Sequence, residues 1–308
     1  MLNFTLQQIN LLKGFQTFFL VIGFVFNVRS VFVVVKYKIF QSQFTKHVIR
    51  NQFMFDSIIC FITPLVLWVK QYIYDINSGF DMFVCYFWDS QGYFWMLCLF
   101  RNQNLVWITL DRYFAVIYPT VYKMKKNILL IAYSILIILI CLPQGVGFSL
   151  ILGVRNQSCV LLLPPESLMF PLTSLVYSIF SYVIPIFIFV ICYSRVYLKL
   201  RAMQENANNN ENFRKSTFKF TIACFINVLL FISLQLMSDV LVILQCVSLF
   251  SYAEGMDVQA IALFLVSINS CVSSVAYLVF MNNFRKCFFD IRKSGSNKVS
   301  TATGTIIM

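Results

Sequence analysis

Among the ionisable side chains within or at the ends of otherwise apolar segments of this sequence, five stand out: Asp56, Arg101, Asp111, Arg112 and Asp239. A lone charge at mid-bilayer costs roughly 2.5–3.5 kcal/mol on insertion scales, so each should be paired or functional. Their spacing is helical. Arg101 lies eleven residues before Arg112, about three turns, and Phe94 lies seven before Arg101, so the three share one stripe. Phe231, Gln235 and Asp239 recur every four residues and share another face, with Gln235 and Asp239 one above the other. Groups so placed can hold ion pairs, bind a charged ligand, or keep a bundle in one of two arrangements until a pair breaks. Bond-making chemistry is not indicated. The single histidine, His47, sits at a helix start, and neither GxSxG nor HExxH occurs. Most of the ten cysteines lie in apolar runs and read as small hydrophobes. No catalytic residue, metal or cofactor is expected.

The elements that must position these groups follow from composition. Of 308 residues 59% are hydrophobic and only 12% charged, with a mean hydropathy of +0.78. A soluble domain is about half apolar and about a quarter charged, so this chain cannot cover itself in water. Runs of about 20 apolar residues, enough to cross a bilayer, occur at Phe15–Val35, Phe53–Val69, Met82–Leu110, Ile128–Ile151, Ser167–Ser194, Phe220–Phe250 and Val258–Phe284. The first is too long for a signal-peptide core. The expected fold is an all-α membrane protein, a seven-transmembrane helix bundle. Its parts are a short extracellular tail (1–12), the bundle (13–284), and an amphipathic helix with a cytoplasmic tail (285–308).

Charge orients the bundle. The net charge is +12, and basic residues crowd alternate connections: Lys36, Lys38, Lys46 and Arg50, then Lys123, Lys125 and Lys126, then Arg195 to Lys219, then Arg285 onward. The other connections carry mainly acids, such as Asp75, Asp81, Glu166 and Glu254. Basic loops stay cytoplasmic, so the N-terminus is outside, and the excess charge calls for no nucleic acid. The glycosylation sequons at Asn3 and Asn156 both fall on the outer side.

The most specific signature is Asp111-Arg112-Tyr113 within LDRYFAVIYP, which closes the third run ahead of a basic loop. Asn27, Asp56, Pro143, Pro185, Tyr193, Phe231 and the stretch Asn269–Tyr277 (NSCVSSVAY) fall at matching places in the other runs. Together they resemble the rhodopsin-like (class A) G-protein-coupled receptors over nearly the whole chain, in a divergent form similar to invertebrate neuropeptide-type receptors. The resemblance implies a multi-pass plasma-membrane receptor for an extracellular ligand, coupled to a heterotrimeric G protein and open to arrestin and a receptor kinase. It implies that Arg112 is held by Asp111 at rest and turns toward the G protein, Tyr193 and Tyr277 on activation, with Tyr113 beside them. It also implies a disulfide between Cys85 and Cys159, and a short amphipathic helix after the seventh span, where Cys287 is a palmitoylation candidate.

The departures from the family pattern are as informative. Ser273-Ser274 replaces Asn-Pro in the seventh run, Leu234, Gln235 and Met237 replace Cys, Trp and Pro in the sixth, and Tyr133 replaces the fourth-span Trp. Phe94 stands where amine receptors carry an Asp, and Ser267 where opsins carry the retinal Lys, which argues against both ligand classes. The family's spacing adds Phe94, Cys98, Tyr177, Ser181 and Gln259 to Gln235 and Asp239, read from their shared helix face, as the expected ligand pocket. The outer acids favour a small cationic or amidated peptide. Arg101 occupies a position that in the family is small and polar and helps bind sodium. A direct Arg101–Asp56 ion pair, with Asn27 and Asn269 nearby, is therefore expected in place of that ion. A seven-helix transporter or channel without G-protein coupling is the other class the spans allow, but no repeated half supports it.

Overall fold

The computed structural model describes residues 6–37, 39–40, 42–68, 79–85, 92–150, 152–155, 158–161, 169–205, 211–246 and 257–290. Long helices dominate: α1 (Leu6–Lys36), α2 (Gln43–Trp68), α4 (Gly92–Ile117), α5 (Pro119–Leu150), α7 (Ile184–Glu205), α8 (Glu211–Cys246) and α9 (Asp257–Phe280). Shorter ones are α3 (Gly79–Val84), α6 (Met169–Ser178) and α10 (Asn282–Phe289). A π turn, Ile179–Val183, joins α6 to α7 as one fifth span. Six of these segments are long and apolar enough to cross a bilayer. The remaining span, α4, carries Arg101, Asp111 and Arg112, and it packs against α2, α5, α7 and α8. The other helices shield its polar groups from lipid.

The outward faces match a hydrocarbon solvent. Phe18 and Val25 on α1, Ile128, Ile131 and Leu139 on α5, and Phe187, Val190 and Ile191 on α7 are all exposed. In water such a belt would aggregate; in lipid it needs no further cover. Inside, Phe53, Phe220, Phe231, Tyr277 and Phe284 are fully buried in one core that runs the length of the bundle.

Local chemistry sets several boundaries. Pro119 opens α5 at the first helical position, where its missing N–H has no partner to lose. Neither α8 nor α9 contains a proline, and both run unbroken, as the sequence substitutions require. At 36 residues, α8 is about 54 Å long and must extend beyond the hydrocarbon core. Gly23 lets α1 press onto α9: a Cβ there would sit 2.7 Å from Cys271 Sγ and 2.8 Å from its Cα.

Some sequence expectations shift. Within the run Met82–Leu110 the described residues belong to α3 and to α4, save Cys85 directly after α3. α1 begins at Leu6, inside the expected tail, and α10 begins at Asn282. The all-α expectation also missed a hairpin of β1 (Leu152–Arg155) and β2 (Ser158–Leu161), paired antiparallel with Val154 opposite Cys159. Four-residue strands are too short to show a period of their own beside a long apolar run.

Candidate functional site

The inner end of α4 is a closed lock. Asp111 and Arg112 form an ion pair, both about 1% exposed, and Arg112 Nε donates to Asp111 Oδ2 at 2.9 Å. Three further residues close round it. Thr45 Oγ1 on α2 donates to both Asp111 oxygens, at 3.0 and 3.1 Å, and accepts from Arg112 Nη2 at 3.1 Å. The Tyr122 hydroxyl, four residues into α5, donates to Asp111 Oδ1 and meets Ser42 Oγ at 2.7 Å. The guanidinium also lies 4.2 Å over the Phe220 ring of α8, a cation–π contact in a dry site. Tyr277 instead meets Cys224 Sγ at 3.8 Å, and the Tyr193 ring lies tilted against Phe225. Tyr113 meets Tyr118 edge to face.

The middle of α4 reads Arg101-Asn102-Gln103-Asn104, four polar residues all buried. Two of them answer a backbone problem on the fifth span. In the π turn the Ile184 N–H bonds back to Ile179 O, and Pro185 has no N–H. Phe180 O therefore loses both its possible helical donors. Gln103 Nε2 donates to Phe180 O at 2.6 Å, and Asn102 Nδ2 to Ser181 O at 3.4 Å. Orphan carbonyls facing another helix are costly in a membrane, so α4 and the fifth span are matched to each other.

Asn104 belongs to a second chain of hydrogen bonds. Asn51 donates to the Tyr133 hydroxyl at 2.7 Å, and Tyr133 to Asn104 Oδ1 at 2.9 Å. Asn104 Nδ2 then donates to Gln52 Oε1 at 2.9 Å, and Gln52 Nε2 to Asp56 Oδ2 at 3.1 Å. Ser273 on α9 also donates to Asp56 Oδ2. Gln52 on α2 and Ser273 on α9 thus donate to the buried carboxylate directly, and Asn104 on α4 and Tyr133 on α5 act on it through Gln52.

The direct Arg101–Asp56 ion pair expected from the sequence is not formed. Among the described residues the only ion pair is Asp111–Arg112. Arg101 instead donates to Ser270 Oγ at 2.9 Å, Gln235 Oε1 at 3.0 Å, Asn102 Oδ1 at 3.0 and 3.2 Å, and Val266 O at 3.4 Å. Gln235, standing where a ring was the family's pattern, offers an acceptor that draws the fork toward α8. Asn27 donates to Ser270 O at 2.8 Å. Asn269 lines a water-sized cavity with Gln52, Arg101 and Ser273.

The expected pocket residues divide into two groups. Gln235, Asp239 and Ser181 come together on α8 and the π turn, with Ser181 Oγ donating to Asp239 Oδ1 at 3.3 Å. Phe94 and Cys98 pack instead with Ile59 and Val266, toward α2 and α9. Trp95 joins the groups: its ring lies 5.2 Å from Phe94 and 6.1 Å from Tyr177, and its carbonyl accepts from the Tyr177 hydroxyl at 3.2 Å. Gln259 lies on α9, but its side chain is outside the described residues. Above this region Cys85, directly after α3, is joined to Cys159 on β2. The disulfide fixes the hairpin over the outer end, a constraint worth roughly 2–4 kcal/mol.

Asn3 and Asn156 lie outside the described residues. Cys287, half-buried on α10, has its thiol pushed up by burial and by nearby Asp290. Sequence reasoning missed Thr45, Tyr122, Tyr133 as a hydrogen-bonding group, Ser270 and the amides at 102–104. The run of four polar residues in one span was a visible signal for the last. No such signal marks Thr45 or Tyr122, which come from other helices. Residues 26–277 match the family model described as the seven-transmembrane receptors of the rhodopsin family. No curated protein matches the chain.

Proposed function

Because this chain belongs to the rhodopsin family of seven-transmembrane receptors, we propose that it binds a cationic ligand within its outer half and activates a heterotrimeric G protein. The protein is a multi-pass receptor of the plasma membrane and not an enzyme. The ligand reading rests on Asp239. The residue is 3% exposed, and Oδ2 makes no hydrogen bond of good geometry. A buried, half-satisfied acid is costly to keep and gains most from a ligand that brings charge and donors together. A small basic or amidated peptide supplies both, and the acidic outer loops raise its local concentration. The coupling reading rests on Arg112, an arginine held by a pair that a change in helix packing can open. Arrestin and a receptor kinase belong to the same proposal.

The test is a screen of cationic and amidated peptides on cells expressing the chain, read by second messengers and nucleotide exchange. A peptide that activates should lose affinity in Asp239→Asn while surface expression holds. An anionic or lipidic agonist indifferent to that change would overturn the ligand class. Ligand-driven ion flux without nucleotide exchange would overturn the receptor reading itself.

A further inference from the structure

Three charges sit in the middle of the bundle without touching one another. Arg101, Asp56 and Asp239 are 2%, 0% and 3% exposed, so one basic group faces two acidic ones. The guanidinium is near enough to act electrostatically on both carboxylates, yet every acceptor it uses is neutral. On each side one carboxylate oxygen is left without a partner: Asp56 Oδ1 and Asp239 Oδ2. A planar fork of five donors bonds a carboxylate about twice as strongly as a neutral group. Either carboxylate would therefore hold it more tightly than the acceptors it now uses.

The acceptors mark the two directions. Gln235 stands one helical turn before Asp239 on α8, and holds Arg101 Nη2 at 3.0 Å. Ser270 on α9 holds Nη1 at 2.9 Å, and its hydroxyl also faces Asp56. Long flexible side chains such as arginine can exchange such partners without moving the backbone.

We propose that Arg101 is a counterion shared between Asp239 and Asp56, and that a cationic group arriving at Asp239 drives it to Asp56. The movement takes the guanidinium from Gln235 on α8 and gives it to the α2–α9 side. It loosens α4 from α8, the helix whose Phe220 covers Arg112 at the inner end. A ligand cation also completes the balance, two basic groups against two acidic ones. Without a proline, α8 has no bend of its own to use; the exchange of one guanidinium replaces it. The ligand half of this inference rests on the function proposed above, whereas the shared counterion does not.

Two measurements decide it. The first is thermal melting of the purified receptor in lipid nanodiscs. Arg101→Gln should lower the midpoint by several degrees in the unaltered chain, and far less in the Asp56→Asn/Asp239→Asn double variant, where no acid needs a counterion. Equal losses in both backgrounds would overturn the shared counterion. The second is ligand-free nucleotide exchange. Asp239→Asn should raise it about fivefold, the low end of coupling between linked sites, by releasing Arg101 to Asp56. Adding Asp56→Asn, or returning a carboxylate to α8 with Gln235→Glu, should bring it back to the level of the unaltered receptor. Unchanged basal exchange in Asp239→Asn at normal surface density would overturn the switch. Silence in every variant and in the unaltered chain would instead remove the receptor reading, and the melting cycle would still decide the counterion.

Discussion

Arg112 and Arg101 stand on one helix, three turns apart, and are solved by opposite means. Arg112 has its own carboxylate, a covering ring and two hydroxyl groups that complete the acid. Charges there cancel, and the group is closed. Arg101 has only amide, hydroxyl and carbonyl oxygens, while two acids nearby each keep an unpartnered oxygen. A balanced site resists change until something displaces a partner; an unbalanced one responds to any added charge. The bundle thus places its stable latch at the inner end and its sensitive group in the middle.

The comparison can be broken most severely at the latch. Arg112→Ala should reduce agonist-driven nucleotide exchange to background while cell-surface counts remain, because the change removes coupling and leaves the packing of α4 largely intact. Normal exchange in that variant would show that the conventional switch is not used. A smaller effect is expected from Tyr122→Phe. It removes one donor from Asp111 but leaves Thr45 and Arg112, so basal exchange should rise by about two- to tenfold, the worth of one hydrogen bond to a charge discounted for its remaining partners. If basal exchange falls instead, Tyr122 supports the active arrangement and the latch has been read backwards.

The middle region can be sharpened in turn. Gln103→Leu leaves Phe180 O without a donor beside Pro185, which should cost about 1–3 kcal/mol and lower the melting midpoint of the purified receptor. The smallest expected effect is none at all. With a guanidinium already acting on Asp56, exchanging sodium for potassium at fixed ionic strength should leave the melting midpoint unmoved. A clear sodium-dependent rise would mean that an ion still enters beside Asp56.

The contrast also explains what could be read in advance. Seven spans, their orientation and the Arg112 latch follow from hydropathy, loop charge and the DRY stretch, because each is carried by residues adjacent in sequence. The pairing of Arg101 was misjudged because helical periodicity gives the face a residue lies on, not its partner. Ser270 and Gln235 intervene from α9 and α8, 169 and 134 residues away. Periodicity also hid the hairpin that carries Cys159, because strands of four residues are too short to show a period of their own.

By itself the sequence determined that this chain spans a bilayer seven times, which way round it sits, and that charge is buried at five named positions. Those are consequences of transfer energy, which depends on composition along the chain. Only the tertiary structure decided which buried charges cancel and which are left to neutral partners. A hydrogen bond of 3 Å is fixed by the docking of two helices, and the residues that make it are drawn from anywhere in the chain.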